Sequence, residues 1–349
     1  MKLKNFFNKR IQNFQALLKK EKIEGCIIDN PIDLFYLTGL RLSLGRLIVT
    51  PKEATLFVDG RYFEMCRSLS FLNVQKSALE TLKRFLSSFK TLGFDSEFTT
   101  VAQYESLKIV TSCDLRKFPS PLKTLRAIKD ASELKALKKS ADLLWKGFLY
   151  IRKSLKEGCS ELDLARAFEV YCLKEGASKL AFEPIIAFGK NSAIPHHRAG
   201  SRRLKKGDLV LIDIGVVVDY YCSDMTRVLH FGKKNLELIH LEKIVRNAHQ
   251  AALNLCKPGI KVKELDLAAR EEMKKEGLED LFVHSLGHGV GLEIHEFPRV
   301  RKEGDDQDVI LAPGMAITIE PGLYISGVGG VRYEDTIIIT SKGYINLYD

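Results

Sequence analysis

The sequence lacks the features of secreted, membrane-spanning and disulfide-built proteins. Its seven cysteines are scattered, odd in number and without a C-x-x-C pair, which indicates reduced thiols rather than a disulfide framework. No run approaches the roughly 18 apolar residues of a membrane helix. The N-terminal stretch MKLKNFFNKRIQNFQALLKKEKIEG is interrupted by charge throughout, so it has no signal-peptide core. We therefore expect a cytoplasmic protein with no membrane partner.

Two familiar motifs are also missing from the histidine-rich segment SLGHGVGLEIHEFP (285–298). The H-E-x-x-H zinc helix needs a second histidine four positions after His295, but that position is Arg299, and Pro298 would break the helix. A G-x-G-x-x-G dinucleotide fingerprint would need a glycine where Leu292 stands. The segment is therefore a glycine-rich, non-helical stretch, and either a plain hairpin or a ligand site would explain it.

Length and charge narrow the class of protein further. At 349 residues the chain is longer than a single hydrophobic core usually supports, which favours two domains. The formal net charge of +10 comes from basic residues spread along the chain, with only short clusters such as RRLKK at 202–206. Because no nucleic-acid recognition motif accompanies these clusters, we expect no nucleic-acid partner.

The first part of the chain alternates short strand and helix patterns. GCIIDN, RLIVTPKEATLFVD and LGFDSE are typical of strands, and ESLKIV is typical of a helix. A charged stretch with two prolines then interrupts the pattern, and a long helix follows, whose start is marked by the capping-box pair Asp130 and Glu133. We therefore expect an α/β amino-terminal domain over residues 1–125 and a second domain over residues 126–349.

The second domain repeats its own sequence pattern. ELDLARAFEVYCLKEG resembles the later ELDLAAREEMKKEG, and KGDLVLIDIG (206–215) matches PGMAITIEPG (313–322). In each member of the latter pair, an apolar run separates a glycine from an acid six positions on, which is Asp213 or Glu320. The period is far longer than that of a solenoid. We infer two half-domains related by pseudo-two-fold symmetry, each delivering a carboxylate from an apolar strand.

A second acid follows in each half, Asp224 in the first and Glu334 in the second. A simple hairpin centred between residues 218 and 219 would set Asp213 directly opposite Asp224, about 5 Å apart. Close carboxylates on apolar strands repel one another, and two divalent ions would neutralise four of them. Singly, these acids have plainer explanations as turn, capping or surface residues. Their joint placement in a repeat favours a dinuclear metal site.

These motifs resemble those of the pita-bread metallopeptidase family, which includes methionyl aminopeptidase, aminopeptidase P, prolidase and the metal-free creatinase. The resemblance covers essentially the whole chain and is carried by IDIG, SDMTR, GHGVGLEIHE, IEPGLY and VRYEDT. It implies an α/β (α+β) protein, with a small α/β amino domain followed by a pseudo-two-fold pita-bread catalytic domain. The implied ligands of two divalent metal ions are Asp213, Asp224, His288, Glu320 and Glu334.

The family resemblance also implies which residues surround the metals. The expected catalytic residues are Glu320, His196, His284, His295 and Arg332. The expected substrate-binding residues are His196, His295 and Tyr324. Glu320 matches the family's general base, and the histidines match imidazoles that orient the substrate and stabilise the transition state. His197 stands where many relatives carry a small residue, and we interpret it as a surface histidine.

The choice within the family rests on the amino domain and the retained ligands. NPIDLFYLTGL and FVDGRYFEMC resemble the creatinase-type amino domain, which methionyl aminopeptidase lacks. We expect an Xaa-Pro aminopeptidase acting on proline-containing peptides. The alternative enzyme is an Xaa-Pro dipeptidase (prolidase), and the alternative without catalysis is a binding scaffold. Carboxylates with an imidazole suit Mn, Co, Zn or Fe, with Mn preferred. The family also implies a homodimer.

Overall fold

The computed structural model describes residues 2–68, 71–233 and 235–349. Its backbone contacts divide the chain into two compact units, Met1–Arg126 and Ala127–Asp349. Within the described ranges, none of the helices has the length and apolar character needed to cross a membrane.

The amino-terminal unit is built on one mixed sheet with strand order β4-β3-β2-β1-β5-β6. Its strands are β1 (Cys26–Ile28), β2 (Arg46–Val49), β3 (Ala54–Val58), β4 (Asn73–Lys76), β5 (Thr91–Phe94) and β6 (Asp114–Lys117). Its helices are α1 (Lys2–Lys20), α2 (Pro31–Thr38), α3 (Gly60–Arg67), α4 (Leu79–Leu86), α5 (Val101–Val110) and α6 (Lys123–Ala127), the last at the division between the units. The strand patterns of the sequence correspond to β1, β2, β3 and β5, and the ESLKIV pattern lies in α5. Those assignments are confirmed.

The described part of the carboxy-terminal unit combines four α-helices and two short 3-10 helices, Gly189–Ala193 and Glu279–Leu281, with several small sheets. Its helices are α7 (Ala131–Ser154), α8 (Glu161–Lys174), α9 (Leu236–Leu253) and α10 (Val262–Lys275). Its strands are β7 (Lys179–Leu180), β8 (Ile185–Phe188), β9 (Leu209–Ile214), β10 (Val216–Val218), β11 (Tyr221–Cys222), β12 (Met225–His230), β13 (Gly287–Gly289), β14 (Glu296–Val300), β15 (Ala316–Ile319), β16 (Gly322–Ile325), β17 (Gly329–Arg332), β18 (Asp335–Ile339) and β19 (Tyr344–Asn346). The capping box predicted for Asp130 and Glu133 begins α7 and is confirmed.

The sequence repeat corresponds to a structural repeat in this unit. In the first half α8 precedes the antiparallel pair β9 and β12, and in the second half α10 precedes the antiparallel pair β15 and β18. Phe168 of α8 and Val210 of β9 lie in one buried apolar cluster, and Leu265 of α10 and Ile317 of β15 lie in another. Burial of such side chains contributes about 1.5–3 kcal/mol each. Helix α8 therefore holds β9 and helix α10 holds β15, and an acidic residue lies at the end of each of these strands.

The hairpin between the first two acids differs from the predicted one. Asp219 and Tyr220 both have positive φ, 49° and 74°, and form the turn between β10 and β11, as in a type I′ hairpin. This turn is centred one residue later than we predicted, so the register moves by two and Thr226, not Asp224, lies opposite Asp213. A shift of two keeps the side chains on the same face. The direct pairing was wrong, and the two acids are diagonal neighbours.

Candidate metal centre

Each half of the carboxy-terminal unit places its two acids at the ends of neighbouring strands. Asp213 lies near the end of β9 and Asp224 directly precedes β12, whereas Glu320 follows β15 and Glu334 directly precedes β18. An isolated bridge between Thr226 and Glu334 connects the two halves. Since antiparallel neighbours bring one strand's end beside the other's beginning, the four acids come together at the junction of the halves.

His288 completes the cluster from β13. Its Nε2 lies 3.6 Å from an oxygen of Asp224 and 3.4 Å from an oxygen of Glu320. Ligand atoms of Asp224, His288 and Glu334 all lie within 4.8 Å of one another, which is close enough to share one metal ion. All three of these side chains are buried. The five residues predicted as ligands are thus gathered on adjoining strands, and their role as ligands is proposed below.

The glycines around His288 explain the composition of its segment. A Cβ on Gly287 would lie 2.0 Å from the carbonyl oxygen of Thr318, and one on Gly289 would lie 2.4 Å from that of Phe297. Only glycine allows neighbouring backbones to approach this closely. The histidine-rich segment therefore contains β13, which packs tightly between β14 and β15, and the buried imidazole of His288 is what a plain hairpin does not account for.

Hydrogen bonding fixes the protonation of the His288 ring. Nδ1 lies 3.0 Å from the carbonyl oxygen of Gly289, and since a carbonyl only accepts, Nδ1 carries the proton. Burial and the neighbouring His295 lower the pKa of His288 to about 4. The ring is therefore neutral, and its unprotonated Nε2 points among the carboxylates in the form that binds a metal.

The clustered carboxylates resist ionisation. Burial raises the pKa of Asp224 and of Glu334 well above the ordinary range, and the neighbouring carboxylates raise each further. Burial likewise raises the pKa of Glu320 to about 8, although Arg332 opposes this. Like charges that cannot be solvated favour their protonated forms unless a cation is present. One arginine supplies a single positive charge against four carboxylates.

The donor set fits divalent metal ions. Oδ1 of Asp213 is buried and is one of the side-chain oxygens without a hydrogen-bond partner among the described residues, which is costly unless something binds it. Oε2 of Glu334 accepts from Thr226 at 2.7 Å. Buried carboxylates with one neutral imidazole and no thiolate match Mn, Co, Fe or Zn.

A hydrogen-bonded row joins the cluster to His284. Arg332 donates from Nη2 to Asp213 and from Nη1 to the Tyr324 hydroxyl at 2.6 Å, and that hydroxyl lies 2.9 Å from Nε2 of His284. Nδ1 of His284 donates to the carbonyl of Ser285 at 2.8 Å. Burial and the charge of Arg332 lower the pKa of His284 to about 4, so the ring is neutral. Both of its nitrogens are engaged within the protein, which favours orienting Tyr324 over contacting a substrate.

His196 and His295 are the predicted histidines with exposed rings. The His295 ring packs edge-on against His288, with centroids 4.4 Å apart. Partial burial and the charge of Arg299 lower the pKa of His295. The charge of His196 also lowers the pKa of both His284 and His295.

One histidine was assigned wrongly from the sequence. The side chain of His197 is only 13% exposed, and its Nε2 lies 2.8 Å from the buried carboxylate of Glu161. It is therefore a structural partner of Glu161 and not a surface residue. Glu161 lies 36 positions earlier in the chain, so no local pattern in the sequence indicates this pairing.

Comparison with known proteins identifies the family. Residues 135–341 match the model of metallopeptidase family M24, and residues 10–128 match the creatinase/prolidase N-terminal domain. The chain belongs to metallopeptidase family M24. It is therefore an enzyme, a metallopeptidase, and the use of divalent metal follows from the family. The identity of the metal does not.

Relatives of this M24 chain include Xaa-Pro dipeptidases and an X-Pro aminopeptidase. An Xaa-Pro dipeptidase from Pyrococcus furiosus is 37% identical, with 96% of each chain covered. The structure of an Xaa-Pro dipeptidase from Bacillus anthracis matches with a TM-score of 0.93 and 31% identity, over 98% of this chain and 97% of that one. An X-Pro aminopeptidase from Thermotoga maritima matches with a TM-score of 0.86 and 28% identity, over 94% and 96%. The expected fold, an α/β amino domain before a pita-bread catalytic domain, is confirmed.

Arg299 lies beside the cluster and is not among the site residues predicted from the sequence. It lies on β14 directly opposite His288 of β13, so the two side chains share a face of the sheet. Arg299 is exposed, and no ion pair engages its guanidinium within the described ranges. Its charge lowers the pKa of both His288 and His295. Its place four residues after His295 was noted only as an obstacle to a zinc motif.

Proposed function

We propose that this M24 peptidase is an Xaa-Pro dipeptidase that hydrolyses the bond between an amino-terminal residue and a carboxy-terminal proline. This replaces the aminopeptidase preference drawn from the sequence. The 37% identical relative and the structure with a TM-score of 0.93 are both named Xaa-Pro dipeptidases, which supports the change. The observation that carries the proposal is Arg299, an exposed cation beside the metal cluster.

The proposed metal ligands are the five residues of the cluster. Asp213, Asp224, His288, Glu320 and Glu334 would hold two divalent ions, with Mn preferred. Bound divalent ions polarise a scissile carbonyl and lower the pKa of a water. The unpartnered Oδ1 of Asp213 and the unprotonated Nε2 of His288 support this assignment.

The remaining chemistry falls to side chains around the cluster. Glu320 accepts the proton of the attacking water and returns it to the leaving nitrogen of proline. His295 and His196, whose rings are exposed, donate hydrogen bonds to the substrate carbonyl as negative charge develops on its oxygen. Arg332 and His284 hold the Tyr324 hydroxyl in the wall of the pocket.

Arg299 selects for dipeptides through charge. A dipeptide ending in proline carries its carboxylate directly beside the bond to be cleaved, whereas a longer peptide has an amide there. An arginine binds a carboxylate through two parallel hydrogen bonds and has no comparable preference for an amide. The pairing of Arg299 with His288 and its effect on His295 support a role in which its guanidinium would bind the terminal carboxylate of a dipeptide.

The experiment compares Ala-Pro with its carboxy-terminal amide on metal-loaded protein. We expect kcat/KM to favour the free carboxylate by at least about ten-fold, since a charge-assisted hydrogen bond contributes roughly 1.5–3 kcal/mol. Arg299→Ala should remove this preference mainly by raising KM for Ala-Pro. Arg166→Ala, an exposed arginine on α8, is the matched control. Equal rates on both substrates, or an Arg299→Ala enzyme that keeps the preference, would contradict the proposal.

The aminopeptidase activity stays as a second candidate because the T. maritima structure carries that name. Cleavage of the amide or of a tripeptide in preference to the dipeptide would support it. A homodimer, which the family resemblance implies, and a cytoplasmic location, which the sequence composition favours, are further proposals. Light scattering and fractionation of cells would test them.

A further inference from the structure

Glu161 is a buried carboxylate outside the metal cluster, and its oxygens accept four hydrogen bonds. It is the first residue of α8, and its side chain has no exposed surface. Oε1 accepts from the backbone N–H of Phe188 and from Nδ2 of Asn191, each at 2.8 Å. Oε2 accepts from Nε2 of His197 at 2.8 Å and from the N–H of Gly200 at 3.1 Å.

All four donors belong to one segment, residues 188–200. Phe188 ends β8 and Gly200 closes the segment, with Asn191 and His197 between them. A single carboxylate therefore contacts both ends and the middle of this loop. Since a buried charge is stable only when fully hydrogen-bonded, the loop and Glu161 depend on each other.

The opposite side of the loop is held by β17. The N–H of Gly330 donates to Oγ of Ser192 at 2.9 Å, and Arg332 donates from Nη1 to the carbonyl of Pro195 at 3.4 Å. His196 thus lies between Pro195, whose carbonyl accepts a hydrogen bond from Arg332, and His197, which binds Glu161. Its own ring is exposed.

We propose that His197 is a positioning residue: by binding Glu161, it fixes the backbone of the 188–200 loop so that the His196 ring faces the substrate. The inference rests on the proposed role of His196 in the peptidase reaction. Because a carboxylate only accepts hydrogen bonds, Nε2 of His197 must carry a proton, and that N–H is the group that holds the loop. Any side chain that presents an N–H at this reach should substitute for it.

Three variants separate the hydrogen bond from the bulk of the ring. His197→Leu removes the N–H and keeps an apolar side chain, and His197→Gln places an amide N–H at a similar reach. His240→Leu, on an exposed histidine of α9, is the control for losing a histidine elsewhere. Glu161→Gln is a second test, because the NH2 group of the glutamine would face hydrogen-bond donors that the carboxylate oxygen of Glu161 accepts from. That variant risks misfolding, so the decision rests on the His197 variants.

The first measurement is a double-mutant cycle on kcat with Ala-Pro as substrate. Displacing a substrate-contacting group by a fraction of an ångström to one ångström lowers turnover by about 10- to 100-fold. We expect a loss of this size in His197→Leu, with unchanged metal content, and near-normal turnover in His197→Gln. In a His196→Ala background, His197→Leu should cause no further loss, because the ring that it positions is gone. Equal losses in both backgrounds would contradict the inference.

The second measurement needs no activity. Trypsin cleaves after Lys190 and Arg198, both within the 188–200 loop, and cleavage there requires the loop to open. We expect several-fold faster cutting of His197→Leu at these two sites, with wild-type rates in His197→Gln and His240→Leu. Unchanged cutting in His197→Leu would show that His197 does not hold the loop. An inactive wild-type enzyme would overturn the proposed function instead, and the proteolysis result would still decide this inference.

Discussion

Arg332 donates a hydrogen bond from Nη2 to Oδ2 of Asp213, and the other oxygen of that carboxylate, Oδ1, is buried and has no partner among the residues that the structure describes. The two oxygens of Asp213 thus have different surroundings. Arg332 orients the side chain through Oδ2, and Oδ1 is left available to a ligand. This division is what a metal ligand needs, because an oriented carboxylate with one open oxygen loses little entropy on binding an ion.

Asp213→Asn tests that division of roles. The amide keeps the shape of the carboxylate but loses its charge, so we expect metal uptake to fall strongly while the fold is retained. Metal content after gel filtration, measured by mass spectrometry, and the Tm of the metal-free protein would establish both points. A variant with wild-type metal content and full activity would show that Asp213 is not a ligand.

The stability of the metal-free protein should fall as pH rises from about 5 to about 8. The pKa of Glu320 is raised from 4.5 to about 8 in the folded chain, so the folded state binds more protons than the unfolded state across this window. Its stabilising protonated form is complete below 4.5 and is lost as pH passes through 8. Thermal melting with a chelator present measures the slope. Glu320→Gln should flatten it, and a slope of opposite sign would contradict the assigned shift.

His295→Ala should lower turnover without releasing metal. The His295 ring contacts His288 but is not among the proposed ligands, and its exposed edge is available to a substrate carbonyl. Removal of a general acid–base or hydrogen-bonding group typically costs about 100-fold or more. Turnover and bound metal would be measured together, with His240→Ala as the control. Unchanged turnover would make His295 a structural residue only.

Tyr324→Phe should affect both stability and turnover. Burial raises the pKa of Tyr324 to about 12, so the hydroxyl is neutral, accepts from Arg332 and donates to His284. Deleting it removes one hydrogen-bond partner of Arg332 and leaves Nε2 of His284 unpaired, at a cost of about 1–3 kcal/mol. Urea unfolding and kcat would be compared with those of Tyr171→Phe, whose ring stacks on Tyr150 away from the cluster. If Tyr324→Phe were as stable and as active as Tyr171→Phe, the hydrogen bonds that join Arg332, Tyr324 and His284 would have no role in function.

The positions of the acids could be predicted because the repeat is visible in the amino-acid sequence. Asp213 and Glu320 end equivalent apolar runs, and in the structure they lie at the ends of the equivalent strands β9 and β15. The register between Asp213 and Asp224 was not predictable in the same way. It depends on the left-handed backbone of Asp219 and Tyr220, and the pattern VVVDY gives little indication of such a turn.

Residues whose role depends on a distant partner were missed. From the sequence alone, His197 resembles a surface histidine. Its partner Glu161 lies 36 positions earlier in the chain, and only folding brings the two side chains together. Arg299 becomes notable only when the pairing of β13 with β14 places it opposite His288. Substrate length preference depends on such side chains, and this is why motifs that identify the metal cluster did not distinguish the dipeptidase from the aminopeptidase.

The most direct test of the account compares kcat/KM for Ala-Pro and Ala-Pro-Ala on protein reconstituted with manganese. If Arg299 binds the terminal carboxylate beside the metal cluster, the dipeptide is cleaved and the tripeptide is cleaved at least about ten-fold less efficiently. Efficient cleavage of the tripeptide with little or none of the dipeptide would contradict the account and identify an Xaa-Pro aminopeptidase.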